Sequence, residues 1–333
     1  MHRTPELSKA LPDTLLAADI AAALARVETL FETQLSSDFP AVEELCRHVE
    51  RYRGKMLRPT LVVVCGLAFR DDGAPLSPAH DVIAATVEMI HMATLVHDDV
   101  LDDAEIRRRG QTVNFLRGNE TAVMLGDYLI SNAFHLCSKA GDPALNLRLG
   151  EVTNTLCEGE LVQLSRRHDL GLDENTYFEI VRRKTAVLVG ASCELGTRLA
   201  GAGDAEVAAM RRFGELLGTA FQIQDDLLDL LGDEETVGKS IGRDLEKGKL
   251  TLPMILHIAC CDTTERRAAM DAIDAKDGAL LRSLLDRSGA VGMAREKAVG
   301  LVAEAKSILP PTRRTGSREL LLDLADRVVA REH

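Results

Sequence analysis

Carboxylates are concentrated in the segment HMATLVHDDVLDDAEIRRRG, residues 91–110. Asp98 and Asp102 are four residues apart, so on a helix they share a face about one turn of 5.4 Å apart. Asp99 lies beside them, and such close carboxylates repel one another. A solvated face with ion pairs is one interpretation. However, the apolar residues upstream predict that the carboxylates end a buried helix at the edge of a core.

A second segment repeats this pattern, because Asp225, Asp226 and Asp229 also spell DDxxD. These aspartates stand in the otherwise apolar stretch 221–231, where carboxylates are costly unless something cationic binds them. The two clusters predict two helices that face each other across one cavity. Mg²⁺ suits such a site, since it binds one or two carboxylates and completes its shell with water and substrate phosphate.

Basic residues stand at four further places along the chain. Lys55 and Arg58 precede a helix predicted to start at Pro59, and a helix N-terminus with such residues is an anion site. His91 lies two turns before Asp98 on nearly the same face. Lys184, followed by Thr185, supplies a second cation where another polar segment becomes apolar. The glycine-containing stretch 232–249 is interpreted either as a loop that closes over phosphate or as a surface linker.

The elements that must position these residues are helices, since apolar residues recur with helical spacing almost throughout. Ser77 is a predicted N-cap, with Pro78 at the first helical position. The helix that follows is predicted to run from about residue 79 to residue 104. Aromatic residues make up 3% of the chain and Trp is absent, which argues against a β-sandwich or barrel. We therefore expect an all-α fold with one large domain over residues 1–333.

Composition excludes several functional classes. The formal net charge of −12 excludes general nucleic-acid binding through a basic surface. The seven cysteines include no CxxC, which predicts free thiols in a reducing compartment instead of disulfides or a zinc site. The longest apolar run, residues 61–69, is far shorter than the roughly 18 residues of a membrane span, and the N-terminus lacks the apolar region of a signal peptide. We expect a cytoplasmic protein without an integral membrane segment.

Taken together, the segments resemble the trans-isoprenyl diphosphate synthases, also called the polyprenyl synthetase family. The resemblance rests on the two DDxxD motifs in their contexts, with GKSIGRDLEKGKLTLP following the second. The stretches LGDYLIS, EGELVQL and KTAVL are similar to the long-chain octaprenyl and nonaprenyl branch, although geranylgeranyl-type enzymes share most motifs. The resemblance implies a helical bundle of the isoprenoid synthase type with a central active-site cavity, and a homodimer.

The resemblance also implies roles for individual residues. About two or three Mg²⁺ ions would be bound by Asp98, Asp102, Asp225 and Asp229. Catalytic roles would also fall to Asp99, Asp226, Lys184 and Lys239. The allylic diphosphate would contact Arg107, Lys184, Thr185, Gln222 and Lys239. Isopentenyl diphosphate would contact Lys55, Arg58, His91 and Arg108.

One departure from the family pattern concerns the arginines. The family usually has RRG after the first cluster, whereas this chain has Arg107, Arg108, Arg109 and then Gly110. We align Arg107 and Arg108 with the family pair because their offset from Asp98 fits. A register shifted by one residue would move the arginine roles with it.

The resemblance implies head-to-tail transfer of an allylic group to isopentenyl diphosphate, most closely that of an enzyme for long quinone side chains. A farnesyl or geranylgeranyl diphosphate synthase is the alternative. A class I terpene cyclase is disfavoured by the symmetric second DDxxD and by the Lys55, Arg58 and His91 set. A regulatory subunit of a heteromeric synthase is disfavoured because both aspartate clusters are intact.

Overall fold

The computed structural model describes residues 14–52, 54–71, 74–108, 110–231 and 242–330. The fold is all-α, as predicted, and the described residues contain one short hairpin whose two strands have two residues each. The elements in chain order are α1 (Thr14–Leu35), α2 (Pro40–Glu50), α3 (Leu57–Ala68), α4 (Pro78–Leu101), β1 (Ile106–Arg107), β2 (Gly110–Gln111), α5 (Val113–Arg117), α6 (Asn119–Ser138), α7 (Pro143–Ser165), α8 (Glu174–Val181), a π-helix (Arg182–Ala186), α9 (Val187–Leu199), α10 (Asp204–Leu231), α11 (Arg243–Glu246), α12 (Leu252–Cys260), α13 (Thr263–Asp274), α14 (Gly278–Ser288), α15 (Ala290–Ile308) and α16 (Ser317–Val329).

The chain divides into two compact units. The first unit consists of Met1–Thr153, Leu188–Gly214 and Leu309–Asp323. The second consists of Asn154–Val187, Glu215–Ile308 and Leu324–His333. The single domain over residues 1–333 stays a prediction.

The first unit is built around α4, which packs against α1, α3 and α6. Every residue from Ile83 to Ile90 is buried, including Thr86 and Glu88. Helix α3 is similarly buried from Pro59 to Ala68. Helices that are apolar on all sides belong in a core, where α3 and α4 are found.

A glycine permits the close packing of α9 in the same unit. A Cβ atom on Gly196 would lie 2.3 Å from the carbonyl oxygen of Val62 on α3. The carbonyl oxygen of Gly196 also lies 3.2 Å from Nε2 of His80, a buried imidazole at the start of α4. Gly196 therefore sets the distance between α9 and α3.

The second unit is organised around α12. This apolar helix packs against α8, α13, α14 and α15. It begins with Leu252 and Pro253, and a proline in the first turn costs no helical hydrogen bond.

Several boundaries differ from the sequence expectations. Helix α4 ends at Leu101 and not near residue 104, because Asp103 adopts a left-handed conformation with φ of 43°. Helix α3 begins at Leu57, two residues before Pro59. Ser77 and Pro78 occupy the predicted N-cap and first helical positions, but the Ser77 hydroxyl pairs with Nδ1 of His80 at 2.8 Å and does not cap the backbone.

All seven cysteines are free thiols, as the sequence predicts. Within the described residues, α4 alone is long and apolar enough to cross a membrane, with a mean hydropathy of 1.2. However, 67% of its most apolar window is buried within the protein. A buried core helix passes the same test of length and composition, so α4 carries little weight as a membrane span.

We predict that Gly196→Ala destabilises the protein by about 1–3 kcal/mol, because the added methyl group overpacks against the Val62 carbonyl. The matched control is Gly300→Ala on α15, where a Cβ would meet nothing within 4 Å. That substitution should stabilise by about 0.4–1 kcal/mol. Urea unfolding of both variants checks this. Equal stability of the two variants would show that α3 and α9 adjust their spacing at no cost.

Candidate active site

The first aspartate cluster stands at the C-terminal end of α4. Asp98 and Asp102 are both partly exposed, whereas Asp99 is only 1% exposed. The N–H of Asp102 donates to the carbonyl oxygen of Asp98 at 2.8 Å, so these residues remain one turn apart although the helix has ended. The two outer carboxylates are thus presented outward and the central one points into the protein.

The buried Asp99 carboxylate is paired with Arg107 on β1. Nε of Arg107 donates to Oδ1 of Asp99 at 2.8 Å, and a second guanidinium nitrogen lies 2.7 Å from the same oxygen. Burial raises the pKa of Asp99, while the hydrogen bond and charge of Arg107 oppose that rise. Tyr52 lies close by, and its pKa is raised to about 12 by burial and then by the Asp99 charge. In this structure Arg107 therefore binds Asp99, and its contact with an allylic diphosphate stays a prediction.

A positive cluster lies beside the first aspartates. Burial lowers the pKa of His91 well below its usual value, and the charges of Arg58 and Arg108 lower it further. His91 is consequently a neutral imidazole among guanidinium groups. Lys55 lies exposed just before α3. The structure thus brings Arg58, His91 and Arg108 together, as expected for residues that bind the same anion.

Two features of this cluster were not expected from the sequence. Arg108 has a left-handed backbone (φ 49°), and its guanidinium donates to the carbonyl oxygen of Tyr52. Glu88, one turn before His91 on α4, is 2% exposed, and its charge opposes the lowered pKa of Arg108. The sequence does contain a signal for Glu88, because an acidic residue between the apolar Val87 and Met89 indicates a buried charge that needs a cationic partner.

The second aspartate cluster stands on α10 and repeats the arrangement of the first. Asp225 and Asp229 are partly exposed and lie one helical turn apart, whereas Asp226 is 6% exposed. Oδ2 of Asp229 accepts a hydrogen bond from the N–H of Asp244 at 3.1 Å. In both clusters, therefore, the first and last aspartates are accessible and the middle one is buried.

Neutral donors hold the Asp226 carboxylate. The Tyr177 hydroxyl donates to Oδ2 at 2.6 Å, and Nε2 of Gln222 donates to Oδ1 at 2.8 Å. The Thr185 hydroxyl in turn donates to Oε1 of Gln222 at 2.9 Å. Burial, followed by the charge of Asp244, raises the pKa of Asp226 to about 8. The predicted diphosphate contacts Thr185 and Gln222 thus belong to one hydrogen-bond network with Asp226.

A cavity of about 100 Å³ lies next to this network in the second unit. It is lined by the predicted residues Lys184, Thr185, Gln222 and Asp226. Two further cationic side chains line it as well: Arg166, which the predicted site did not include, and Lys249, at the end of the stretch interpreted as a loop that closes over phosphate. Asp244 also lines the cavity and lies 3.8 Å from Lys249, so the lining combines three cations with two acidic side chains, as a site for a diphosphate and its metal ions requires. The predicted residue Lys239 lies outside the described residues.

The π-helix positions Lys184 and Thr185. Such turns are rare and often occur at functional sites. A Cβ on Gly159 of α7 would lie 2.7 Å from both Cβ of Arg183 and the backbone nitrogen of Lys184, so the glycine allows α7 to approach the π-turn. Nζ of Lys184 donates to Oε1 of Gln163 at 2.8 Å and also pairs with the carboxylate of Glu160.

The predicted metal ligands suit Mg²⁺ in number and chemistry. Within the described parts of the chain, no group of three His, Cys, Asp or Glu side chains is arranged to hold a metal ion. Mg²⁺ does not require one, because it binds through one or two carboxylates together with water and phosphate. The accessible pairs Asp98 and Asp102, and Asp225 and Asp229, each supply two hard oxygen donors.

Comparisons with known proteins assign this arrangement to a class. The profile of the family described as Polyprenyl synthetase matches residues 39–285. The octaprenyl diphosphate synthase of Escherichia coli (strain K12) is 35% identical over 318 residues, which cover 93% of this chain and 96% of that protein. The crystal structure of a decaprenyl diphosphate synthase from Rhodobacter capsulatus has a TM-score of 0.88 at 35% identity, and the match covers 96% of this chain and 98% of that chain.

A further solved structure contains a metal and a diphosphate. It is a polyprenyl synthase from Caulobacter crescentus CB15 complexed with calcium and isoprenyl diphosphate, with a TM-score of 0.89, 34% identity and 100% coverage of both chains. The chain therefore belongs to the polyprenyl synthetase family of prenyltransferases. The family recognised from the motifs is confirmed.

We predict that Arg107→Ala destabilises the protein by about 3–5 kcal/mol, because it leaves the Asp99 carboxylate buried without its cation. The matched control is Arg117→Ala, since Arg117 and its partner Glu44 are 53% and 69% exposed. An exposed pair contributes at most about 1 kcal/mol. Urea unfolding measures both, and the double variant Asp99→Asn/Arg107→Ala should recover part of the loss. A loss no larger than that of Arg117→Ala would contradict the buried ion pair.

Proposed function

We propose that the chain is a Mg²⁺-dependent synthase that adds isopentenyl diphosphate head-to-tail to an allylic diphosphate. Its product would be a long-chain trans-polyprenyl diphosphate for a quinone side chain. One observation carries this proposal: both DDxxD clusters present their outer aspartates and bury the central one. Similarity to octaprenyl and decaprenyl diphosphate synthases supports the long product.

In this proposal, separate groups of residues bind the two diphosphate substrates and the metal ions. Asp98, Asp102, Asp225 and Asp229 would hold Mg²⁺, which neutralises the charge that develops on a diphosphate leaving group. Lys184, Thr185 and Gln222 would bind the allylic diphosphate in the cavity of the second unit. Arg58, His91 and Arg108, with Lys55, would bind isopentenyl diphosphate in the first unit. We further propose that Arg107 and Lys239 contribute to the allylic site.

The reaction proceeds by breaking one C–O bond and forming one C–C bond. The allylic C–O bond breaks and diphosphate leaves with the bonding electron pair. The double bond of isopentenyl diphosphate then attacks the allylic carbocation, and a proton is lost to the departing diphosphate. The apolar helix faces exclude water, which would otherwise quench the cation. The product is again an allylic diphosphate, so the cycle can repeat.

A second anion site distinguishes this proposal from a terpene cyclase. A cyclase ionises one allylic diphosphate and does not bind isopentenyl diphosphate. The guanidinium groups around the neutral His91 form a positive cluster distinct from the cavity that Lys184 lines, and so favour two diphosphate substrates. We also propose that the protein acts as a cytoplasmic homodimer with its 333 residues forming a single domain.

The experiment that tests this function is an incorporation assay. Purified protein with Mg²⁺, farnesyl diphosphate and labelled isopentenyl diphosphate should give extractable polyprenyl products, and EDTA should abolish them. Asp98→Ala and Asp225→Ala should each reduce turnover by more than about tenfold, or ~1.4 kcal/mol of barrier. Neither should lower stability, since each removes one carboxylate from a repelling cluster.

The matched control for these variants is Asp271→Ala, at an exposed position on α13. It should retain wild-type turnover. Retention of more than a tenth of the activity by either cluster variant would contradict metal binding by these aspartates. A cyclic hydrocarbon product in the absence of isopentenyl diphosphate would instead indicate a terpene cyclase.

Product length is expected to depend on the face of α4 that precedes the metal cluster. Ala93 lies five residues before Asp98, about 7.5 Å along the helix axis. Ile90 and Thr86 continue its line, and all three residues are fully buried. None is aromatic, so no ring blocks this line over the next two turns. We propose that the growing chain extends along this face. In the alternative, Ala93 only allows helices to pack closely.

We predict that Ala93→Phe shortens the product, because the ring would obstruct the growing chain while the first condensation continues. Overpacking should cost about 1–3 kcal/mol, so folding is verified first by thermal unfolding. Reverse-phase chromatography of the dephosphorylated products measures their length. Ala93→Leu serves as a smaller second variant and should give an intermediate length. A folded variant with wild-type product length would show that this face does not line the path.

A further inference from the structure

The central aspartate of the second cluster has both carboxylate oxygens engaged by partners within the second unit. Oδ2 accepts from Tyr177 at 2.6 Å and Oδ1 accepts from Gln222 at 2.8 Å. Tyr177 is 5% exposed and Asp226 is 6% exposed, so water does not replace these donors. Burial raises the pKa of Tyr177 well above its usual value. Its hydroxyl therefore keeps its proton and acts as a donor.

This bond determines which way the Gln222 amide points. Nε2 of Gln222 donates to Oδ1 of Asp226 at 2.8 Å while Oε1 of Gln222 accepts from the Thr185 hydroxyl at 2.9 Å, so the two contacts together hold the amide in one orientation. Nε2 carries a second proton, and that N–H is the group through which Gln222 can donate to an anion in the cavity. A rotated amide would present its carbonyl oxygen to a diphosphate and repel it.

Tyr177 itself is held firmly on α8. The Asp173 side chain caps this helix by accepting from the N–H of Thr176 at 2.9 Å. Glu174 in the first turn forms an ion pair with Lys297 of α15 at 2.6 Å. These contacts stabilise the first turns of α8, while the burial of Tyr177 and its hydrogen bond to Asp226 hold the hydroxyl, as a preorganised site requires.

We propose that Tyr177 is a positioning residue for the allylic diphosphate site. It holds Asp226, Asp226 orients Gln222, and Gln222 with Thr185 forms the donor face of the cavity. This inference rests on the proposed function, because it identifies the cavity with the allylic subsite. Tyr177 acts through Gln222 and not on the diphosphate, so its loss should weaken the binding of one substrate selectively.

Direct binding measurements test the selectivity. Calorimetric titration with farnesyl thiodiphosphate, a slowly reacting allylic analogue, should show at least about tenfold weaker binding to Tyr177→Phe in the presence of Mg²⁺. Affinity for isopentenyl diphosphate should change by less than about twofold. Tyr128→Phe, the same substitution on α6 in the first unit, is the matched control and should leave both affinities unchanged.

A double-mutant cycle separates positioning from a general loss of structure. Thr185→Val removes the hydroxyl at the other side of Gln222. If Tyr177 acts through Gln222, the double variant should bind the analogue at least about fivefold better than the product of the two single losses predicts. Independent effects, or equal weakening of both substrates, would overturn the inference.

Two further outcomes separate this inference from the proposed function. Wild-type protein that forms polyprenyl products, combined with unchanged analogue affinity in Tyr177→Phe, would overturn the role of Tyr177 and leave the function intact. Wild-type protein that forms no product and does not bind the analogue would overturn both. Thermal unfolding verifies that Tyr177→Phe, Thr185→Val and the double variant are folded. Binding affinities in the double-mutant cycle are compared only among these folded proteins.

Discussion

Burial of a carboxylate on an apolar helix is the constraint on which both aspartate clusters depend. Three aspartates within five positions repel one another, and a buried carboxylate without partners is strongly unfavourable. The protein meets this constraint by turning the central aspartate of each cluster inward and giving it dedicated donors. The outer two aspartates then remain accessible at a spacing of one helical turn, which is the spacing that paired metal ligands need.

The two central aspartates are stabilised by different chemistry. Asp99 is paired with a cation, Arg107, so its negative charge is compensated inside the protein. Asp226 is held by neutral donors from Tyr177 and Gln222, and burial together with the charge of Asp244 raises its pKa to about 8. The first central aspartate is thus stabilised by an opposite charge, and the second by hydrogen bonds from uncharged groups.

Small residues allow the functional segments to approach neighbouring helices closely. Gly159 lets α7 contact the π-turn, where the extra residue per turn changes the direction of Lys184 and Thr185. Gly196 does the same for α9 against α3, whose first turn carries Arg58. Positions of this kind contribute no chemistry of their own. They determine the distances at which the reactive side chains are held.

The sequence by itself determined the helical class and the two DDxxD pairs on helix faces, whereas the grouping of His91 with Arg58 and Arg108 came from the family resemblance. The first two follow from local rules, because i, i+4 spacing and apolar periodicity depend only on neighbours along the chain. Only the tertiary structure decided that Arg107 binds Asp99, that Tyr177 holds Asp226, and that Arg166 and Glu88 belong to the sites. The chain has three tyrosines, and two of them, Tyr52 and Tyr177, lie beside the central aspartates. That scarcity was a usable signal, but the partner of a buried group comes from a distant segment, and which segments pack together is set by the whole fold.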